Sequence, residues 1–329
     1  MPTYTQNGDV KEICECVNQL LNTYVTKIPE ISRLVPDDKI NTSSERFKQF
    51  YEIICRGNTP LEKDYTLLEK IQLFILKAVS PKKAAEIKEN VSRRVETKRA
   101  AEKRELYSTF SKNLEELCRN ATETLQLYNK SIDALERAVY INIHSAELSQ
   151  KKGEELQTML EYKCSERKKL LEKNPINENI PGLADEVFEL RSNLRRLDTF
   201  SKERINDAEF AISKLAFYKA RAGAVEGLLA KYTELLLAAK VYSEQLGLFV
   251  QEYNKFGSFE DFKKRFQQAD EIVRIVKELY EFERQGMEHS AKLVENGVGE
   301  WTPEVQNTST NDIASRIRLL REKASRLIK

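Results

Sequence analysis

Between Lys82 and Lys173 the chain contains no proline and a single glycine, Gly153, and between Leu183 and Phe256 there is again no proline. Stretches this long without a helix breaker admit few folds. A sheet needs turn residues every few positions, and a compact bundle of short helices needs them nearly as often. The whole sequence of 329 residues has only 11 Gly and 8 Pro. The composition therefore favours long helices and disfavours sheets. A hydrophobic share of 40%, regularly spaced, also argues against disorder.

The breakers that do occur sit at helix ends. Ser80-Pro81 reads as an N-cap followed by the first helical residue. The stretch from Asn174-Pro175 to Pro181-Gly182 reads as a turn. Gly257-Ser258, with Asp261 at the third helical position, ends one helix and caps the next, which is predicted to run to about Glu295. Three shorter helices are predicted near 9–28, 43–56 and 60–79, the last starting from Thr59-Pro60-x-Glu62. Thr302-Pro303 and Asn311-Asp312 begin short C-terminal pieces.

Apolar residues step by threes and fours along both long segments: Leu114, Leu117, Ala121, Leu125 and Tyr128 in one, Ile205, Ala208, Ile212 and Leu215 in the other. Each helix thus carries an apolar seam. The turn at 174–182 folds the two back as an antiparallel hairpin, with limbs of ~130 Å and ~110 Å. With a turn near 178, residue n faces 356 − n, so that Val139 meets Phe217 and Tyr107 meets Phe249. The windows 106–148 and 208–249 carry apolar residues beyond one seam and need a further neighbour. Helix 258–296 supplies it through Phe259, Phe262, Phe266, Ile272, Val273, Ile275, Val276, Leu279, Tyr280 and Phe282. The expected fold is all-α: an elongated antiparallel long-helix coiled coil, with a three-helix body tapering into a two-helix arm over 149–207. The chain order divides it into a short-helix region at 1–80, the long-helix domain at 81–296 and a linker with a basic amphipathic helix at 297–329.

Whole-chain charge identifies no partner, since 54 Lys and Arg nearly cancel 52 Asp and Glu. Its distribution is more informative. Residues 163–173 hold Lys163, Arg167, Lys168, Lys169 and Lys173 against Glu166 and Glu172, and residues 191–204 hold Arg191, Arg195, Arg196, Lys202 and Arg204 against Asp198 and Glu203. Folding back brings the two runs together at the tip. The tail places Ile313, Ile317, Leu320, Ala324 and Leu327 on one face, with Arg316, Arg318, Arg321, Lys323 and Arg326 elsewhere. Such a basic amphipathic helix lies on anionic bilayers or in a partner's groove, or docks as a cap on the body, where Trp301 could anchor it.

Chemistry-bearing motifs are absent. His144 and His289 stand outside any Glu-x-x-His pattern, and Cys14-x-Cys16 lacks the spacing of a zinc or redox pair. No phosphate loop, nucleophile elbow or metalloprotease motif occurs. The chain is read as non-enzymatic, without a cofactor, metal or small-molecule substrate. Five scattered cysteines, Cys14, Cys16, Cys55, Cys118 and Cys164, together with no signal layout over Met1–Leu20, point to a reducing, cytoplasmic setting. A toxin secreted without a signal peptide would look the same.

An apolar body, long helices and a basic run ending in Lys173-Asn174-Pro175 at the tip resemble the BAR superfamily over about 82–296. That resemblance implies an antiparallel homodimer that senses or shapes membranes, with Arg167, Lys168, Lys169, Arg195 and Arg196 facing lipid. An anionic membrane surface, bound peripherally, is then the expected partner. Nucleic acid ranks below it, because the basic runs match no nucleic-acid fold signature. Two other readings fit the long helices: a subunit of a two-component α-helical pore-forming toxin, and a coiled-coil scaffold with helical protein partners only.

Overall fold

Ser80-Pro81 opens the longest helix, since a proline in the first turn gives up no backbone hydrogen bond. In a computed structural model of the chain, residues 10–25, 39–42, 45–55, 61–174, 179–266, 268–293 and 310–328 are described. Every regular element among them is helical. They are α1 (Val10–Val25), α2 (Glu45–Cys55), α3 (Leu67–Val79), α4 (Pro81–Lys173), α5 (Asn179–Gln251), α6 (Tyr253–Phe256), α7 (Phe259–Arg265), α8 (Gln268–Leu293) and α9 (Thr310–Leu327), with a short 3₁₀ turn at Leu61–Asp64. The expected starts at Thr59-Pro60 and Thr302-Pro303, positions 175–178 of the expected turn, the expected helix end at Glu295, and Trp301 lie outside the described residues, as do the side chains of His289 and Cys55.

Three helix ends differ from the pattern read in the sequence. The helix of segment 60–79 starts at Thr66 instead of Thr59. The Thr66 side chain accepts the Glu69 N–H, and the Thr66 N–H donates to the Glu69 carboxylate at 2.8 Å. That backbone donor, more than any other group, holds the Glu69 carboxyl below its ordinary range. Thr66→Ala removes this capping box and is expected to cost α3 about 1 kcal/mol. Exchange of the Leu67–Lys70 amides should then rise about fivefold; an unchanged rate would show that the cap does not limit opening of the helix. The second difference is that α5 stops at Gln251, and a separate turn, α6, reaches Gly257, whose φ of +76° suits a residue without a Cβ. The third is that segment 258–296 breaks after Arg265. Phe266 is extended there, and its ring packs on Phe256 and Phe262.

The chain divides into two compact units. The first comprises Met1–Ile31, Leu127–Ala222 and Ser290–Lys329, and the second Ser32–Gln126 and Gly223–His289. Both long helices contribute to each unit.

Among the described residues of the second unit, the core is aromatic. Phe50 stacks on Phe110 with centroids 3.5 Å apart, and Tyr107 meets Tyr242 edge-on at 4.9 Å. Tyr107 therefore contacts Tyr242, on a different turn of α5 from Phe249. Ile272, Ile275, Val276 and Leu279 of α8 and Phe262 of α7 are fully buried in the same cluster. Phe47 and Phe50 of α2 belong to that cluster as well, so the body holds more than the three expected helices. Two buried carboxylates fasten the surrounding segments. Glu283 accepts the Thr42 N–H at 2.9 Å and the Thr42 hydroxyl at 2.7 Å, and the Tyr232 hydroxyl lies 2.9 Å from it. Burial, aided by Glu283, pushes the Tyr232 phenol far up. Glu96 accepts the Tyr253 hydroxyl at 2.8 Å and the Phe259 N–H at 3.1 Å.

In the first unit, the Ser201 hydroxyl donates to the Ala146 carbonyl, Lys163 pairs with Glu186 and Lys219 with Glu136, so residue numbers on α4 and α5 run in opposite directions. The stretch expected to be a two-helix arm is joined by α1. Val10 and Cys14 pack with Leu156, Leu190, Leu194 and Leu197, and Val17 and Leu21 pack with Phe200 and Ile141. A 16-residue amphipathic helix stays folded in water chiefly by burying its apolar stripe, and this seam provides the surface.

Candidate functional site

Burial and pairing decide which of the sequence-selected cations reach solvent. On α4, Lys163 is committed to Glu186 at 3.0 Å and Glu166 at 3.6 Å, and Glu186 holds its ammonium above the ordinary lysine range. Arg167 is half-buried, and its Nε is enclosed without a hydrogen-bond partner. On α5, Lys202 pairs with Asp198 and Arg204 is buried against Asp207 and the Phe200 ring. Lys168, Lys169, Lys173, Arg191, Arg195 and Arg196 are exposed, and among the described residues none of the six makes an ion pair.

Exposed apolar side chains accompany these six cations, a feature that sequence reading missed. Met159, Tyr162, Leu171 and Phe188 are 53%, 67%, 41% and 76% exposed. At about 100° per residue, Met159, Tyr162, Lys169 and Lys173 share one stripe of α4, and Phe188, Arg191 and Arg195 share one stripe of α5. Glu186 and Glu189 fall on a different side of α5 from that stripe, and Asp185 borders it one turn before Phe188.

Phe188, Arg191, Arg195 and Arg196 also line a groove of about 680 Å³ against Val10 and Cys14 of α1. Its walls are partly apolar and its cations outnumber the acids, Glu15 and Glu203. Such an arrangement can hold an anionic headgroup over an apolar floor.

The tail helix is placed differently. Ile313, Ile317, Leu320 and Ala324 are buried, so the apolar face of α9 is already covered within its own unit. Arg316 binds the Asn206 amide oxygen and Glu209, both at 3.1 Å, and Arg321 reaches Glu147 at 2.5 Å. The Lys219 ammonium donates to the Leu327 carbonyl at the helix end. Of the two arrangements open in the sequence, α9 takes the docked one. Arg318, Lys323 and Arg326 remain exposed, Arg326 within 4.0 Å of Glu322.

A second exposed set lies on α3, where Leu67, Leu68, Ile71, Phe74, Ile75 and Val79 are 47–81% exposed and only Leu73 is buried. The candidate chemistry-bearing residues stand apart from one another. His144 is exposed and stacks on Tyr140, Cys14 packs from α1 against the cluster of Leu156 and Leu197, Cys16 is exposed, and burial pushes the Cys118 thiol up. Among the described residues, no group of His, Cys, Asp and Glu is arranged to hold a metal ion, and no helix is long and apolar enough to cross a membrane. Comparison of the chain with family models, curated proteins and solved structures yields no match.

Proposed function

We propose that this chain is a non-enzymatic helical protein that binds anionic membrane surfaces peripherally, through the cations flanking the α4–α5 turn. In this reading α4 and α5 are the limbs of an elongated antiparallel coiled-coil hairpin, and the opposed numbering of their contacts supports it. The single observation carrying the proposal is the six unpaired, exposed cations interleaved with Met159, Tyr162, Leu171 and Phe188.

Each cation held near acidic lipid contributes about 1 kcal/mol. An exposed aromatic ring beside it prefers the headgroup region, where its apolar body and polar edge are both satisfied. Nucleic acid would use the cations and leave Met159, Leu171 and Phe188 in water. Membrane sensing or shaping, as in the BAR superfamily that the sequence resembles, is the proposed role. A second copy of the chain would double the cation count.

The test is co-sedimentation with vesicles containing about one-third phosphatidylserine. Binding is expected to be tighter at about 0.1 M salt than at about 1 M, because the share carried by these cations fades as screening shortens from about 10 Å to about 3 Å. Lys168→Glu, Lys169→Glu and Lys173→Glu together should weaken binding at least tenfold, as each exchange turns an attraction of about 1 kcal/mol into a repulsion. These residues are exposed and unpaired, so folding should be unaffected. Salt-sensitive binding that survives the triple reversal would remove the turn from the contact. Release of an entrapped dye would shift the reading to pore formation.

A further inference from the structure

Helix α3 is amphipathic with its apolar side turned outward. At about 100° per residue, Leu67, Leu68, Ile71, Phe74, Ile75, Ala78 and Val79 fall within an arc of about 140°. Leu73 lies opposite the middle of that arc, and it is the side chain that α3 buries, against Tyr65, Val91 and Val95. The arc is therefore the part of the helix farthest from its own core, and Phe74 at its edge is 81% exposed. Isolated exposed apolar residues are ordinary, but a contiguous apolar helical face marks a binding surface.

Charge complementarity selects the occupant. Lys70 and Lys77 lie side by side at one edge of the arc, and Lys82 and Lys83 follow in the first turn of α4; all four are exposed. Two nearby acids are already neutralised: Glu69 binds Arg94 at 2.6 Å and Asp64 binds Arg99 at 2.5 Å, while Glu86 stands exposed one turn beyond Lys82 and Lys83. What remains is an apolar strip bordered by Lys70 and Lys77, which make no ion pair among the described residues. A partner helix from another copy of this chain would have to bring acidic residues to meet those lysines, whereas an anionic bilayer offers acyl chains and acidic headgroups together. At 13 residues α3 is about 20 Å long, too short to span a bilayer and suited to lying in its surface plane.

We infer that α3 is an interfacial anchor that seats Leu67, Ile71, Phe74, Ile75 and Val79 in the acyl-chain boundary of an anionic bilayer, with Lys70 and Lys77 at the headgroups. It shares with the reading above only the bilayer as partner. The binding it provides is apolar and resists salt, whereas that of the α4–α5 turn does not.

The experiment places an indole on the strip by Phe74→Trp, in a Trp301→Phe background so that it is the only one present. Adding vesicles of about one-third phosphatidylserine should shift its emission to the blue, and brominated acyl chains should quench it, in about 1 M salt as well as in about 0.1 M. Phe74→Asp with Ile75→Asp should lower partitioning at high salt at least about tenfold, since two large apolar side chains leave the bilayer. Both positions are exposed, and circular dichroism of the variant should match that of the parent. Emission unchanged by vesicles would overturn the inference. So would a blue shift that appears without lipid as protein concentration rises, which would assign the strip to a second copy. Quenching that persists when Lys168, Lys169 and Lys173 are reversed to Glu would uphold α3 independently of the α4 cations, and salt-sensitive binding that survives the reversal alongside intact quenching would reject those cations alone.

Discussion

Phe262→Ala is expected to destabilise the second unit by about 3–5 kcal/mol. The ring is fully buried, and its centroid lies within 5.0–6.4 Å of those of Phe249, Phe266, Phe256, Phe259 and Tyr242. These neighbours come from α5, α6, α7 and the residue at which α7 ends. Truncation thus removes the one side chain that all of them touch, and a cavity bounded by rings collapses poorly, since rings cannot bend into it. Phe262→Leu fills most of the space and should cost about 1–1.5 kcal/mol. Phe74→Ala, on an exposed position of α3, should fall within about 0.5 kcal/mol of the parent. Urea unfolding combined with hydrogen exchange of α7 and α8 amides would read all three. Equal losses for Phe262→Ala and Phe262→Leu would mean that the cavity relaxes fully and that ring packing does not hold α7 in place.

Breaker residues made much of the helix order legible. Ser80-Pro81, Gly257 and Ser258 act through their own backbone and side chains, so the observed Ser258 cap on the Asp261 N–H could be read from four residues. The break at Phe266 could not. Nothing local stops a helix there; the residue leaves helical geometry because its ring completes the cluster around Phe262. The true start of α3 did leave a signal, the Thr66-x-x-Glu69 pattern of a capping box, overshadowed by the proline at Pro60.

The cationic stretches of α4 and α5 were partly legible. Counting charges found Lys163, Arg167, Lys202 and Arg204 as readily as Lys168 or Arg195, because composition does not distinguish a lysine committed to Glu186 from a free one. The outward apolar arc of α3 was not legible at all. Nine of its thirteen residues, LLEKIQLFILKAV, are apolar, and a helix apolar nearly all round reads as buried. Only the packing of Leu73 reveals which side is turned to the core.

Raising the pH from 7 to about 9.5 should stabilise the second unit, against the usual trend of proteins held by ion pairs, and Lys103 is the cause. Burial, reinforced by the nearby Lys263 and Arg99 charges, lowers its ammonium to about 8 from an ordinary 10.5. Between those values the folded chain has released the proton and the unfolded chain still binds it, so stability rises with pH across that window. Below about 8 both states hold the proton, and the folded state bears a net cost for the buried cation, on the order of 3 kcal/mol, after the opposing pull of Glu260. The Phe259 ring, 4.9 Å from the ammonium, offsets part of this cost. Above about pH 10 the slope reverses. Burial raises the Tyr242 phenol to about 12, and those of Tyr232 and Tyr253 also move up. The unfolded chain then loses phenol protons that the folded chain keeps, so stability falls as pH climbs. Lys103→Met keeps the volume and removes the cation. It should therefore gain about 2 kcal/mol at pH 7, lose that advantage by about pH 10 and leave the alkaline fall unchanged. Urea midpoints at several pH values from 7 to 11 would decide it. A parent curve that is flat between 7 and 9.5, or a Lys103→Met variant less stable than the parent at pH 7, would show that the ammonium reaches water and that its burial governs nothing.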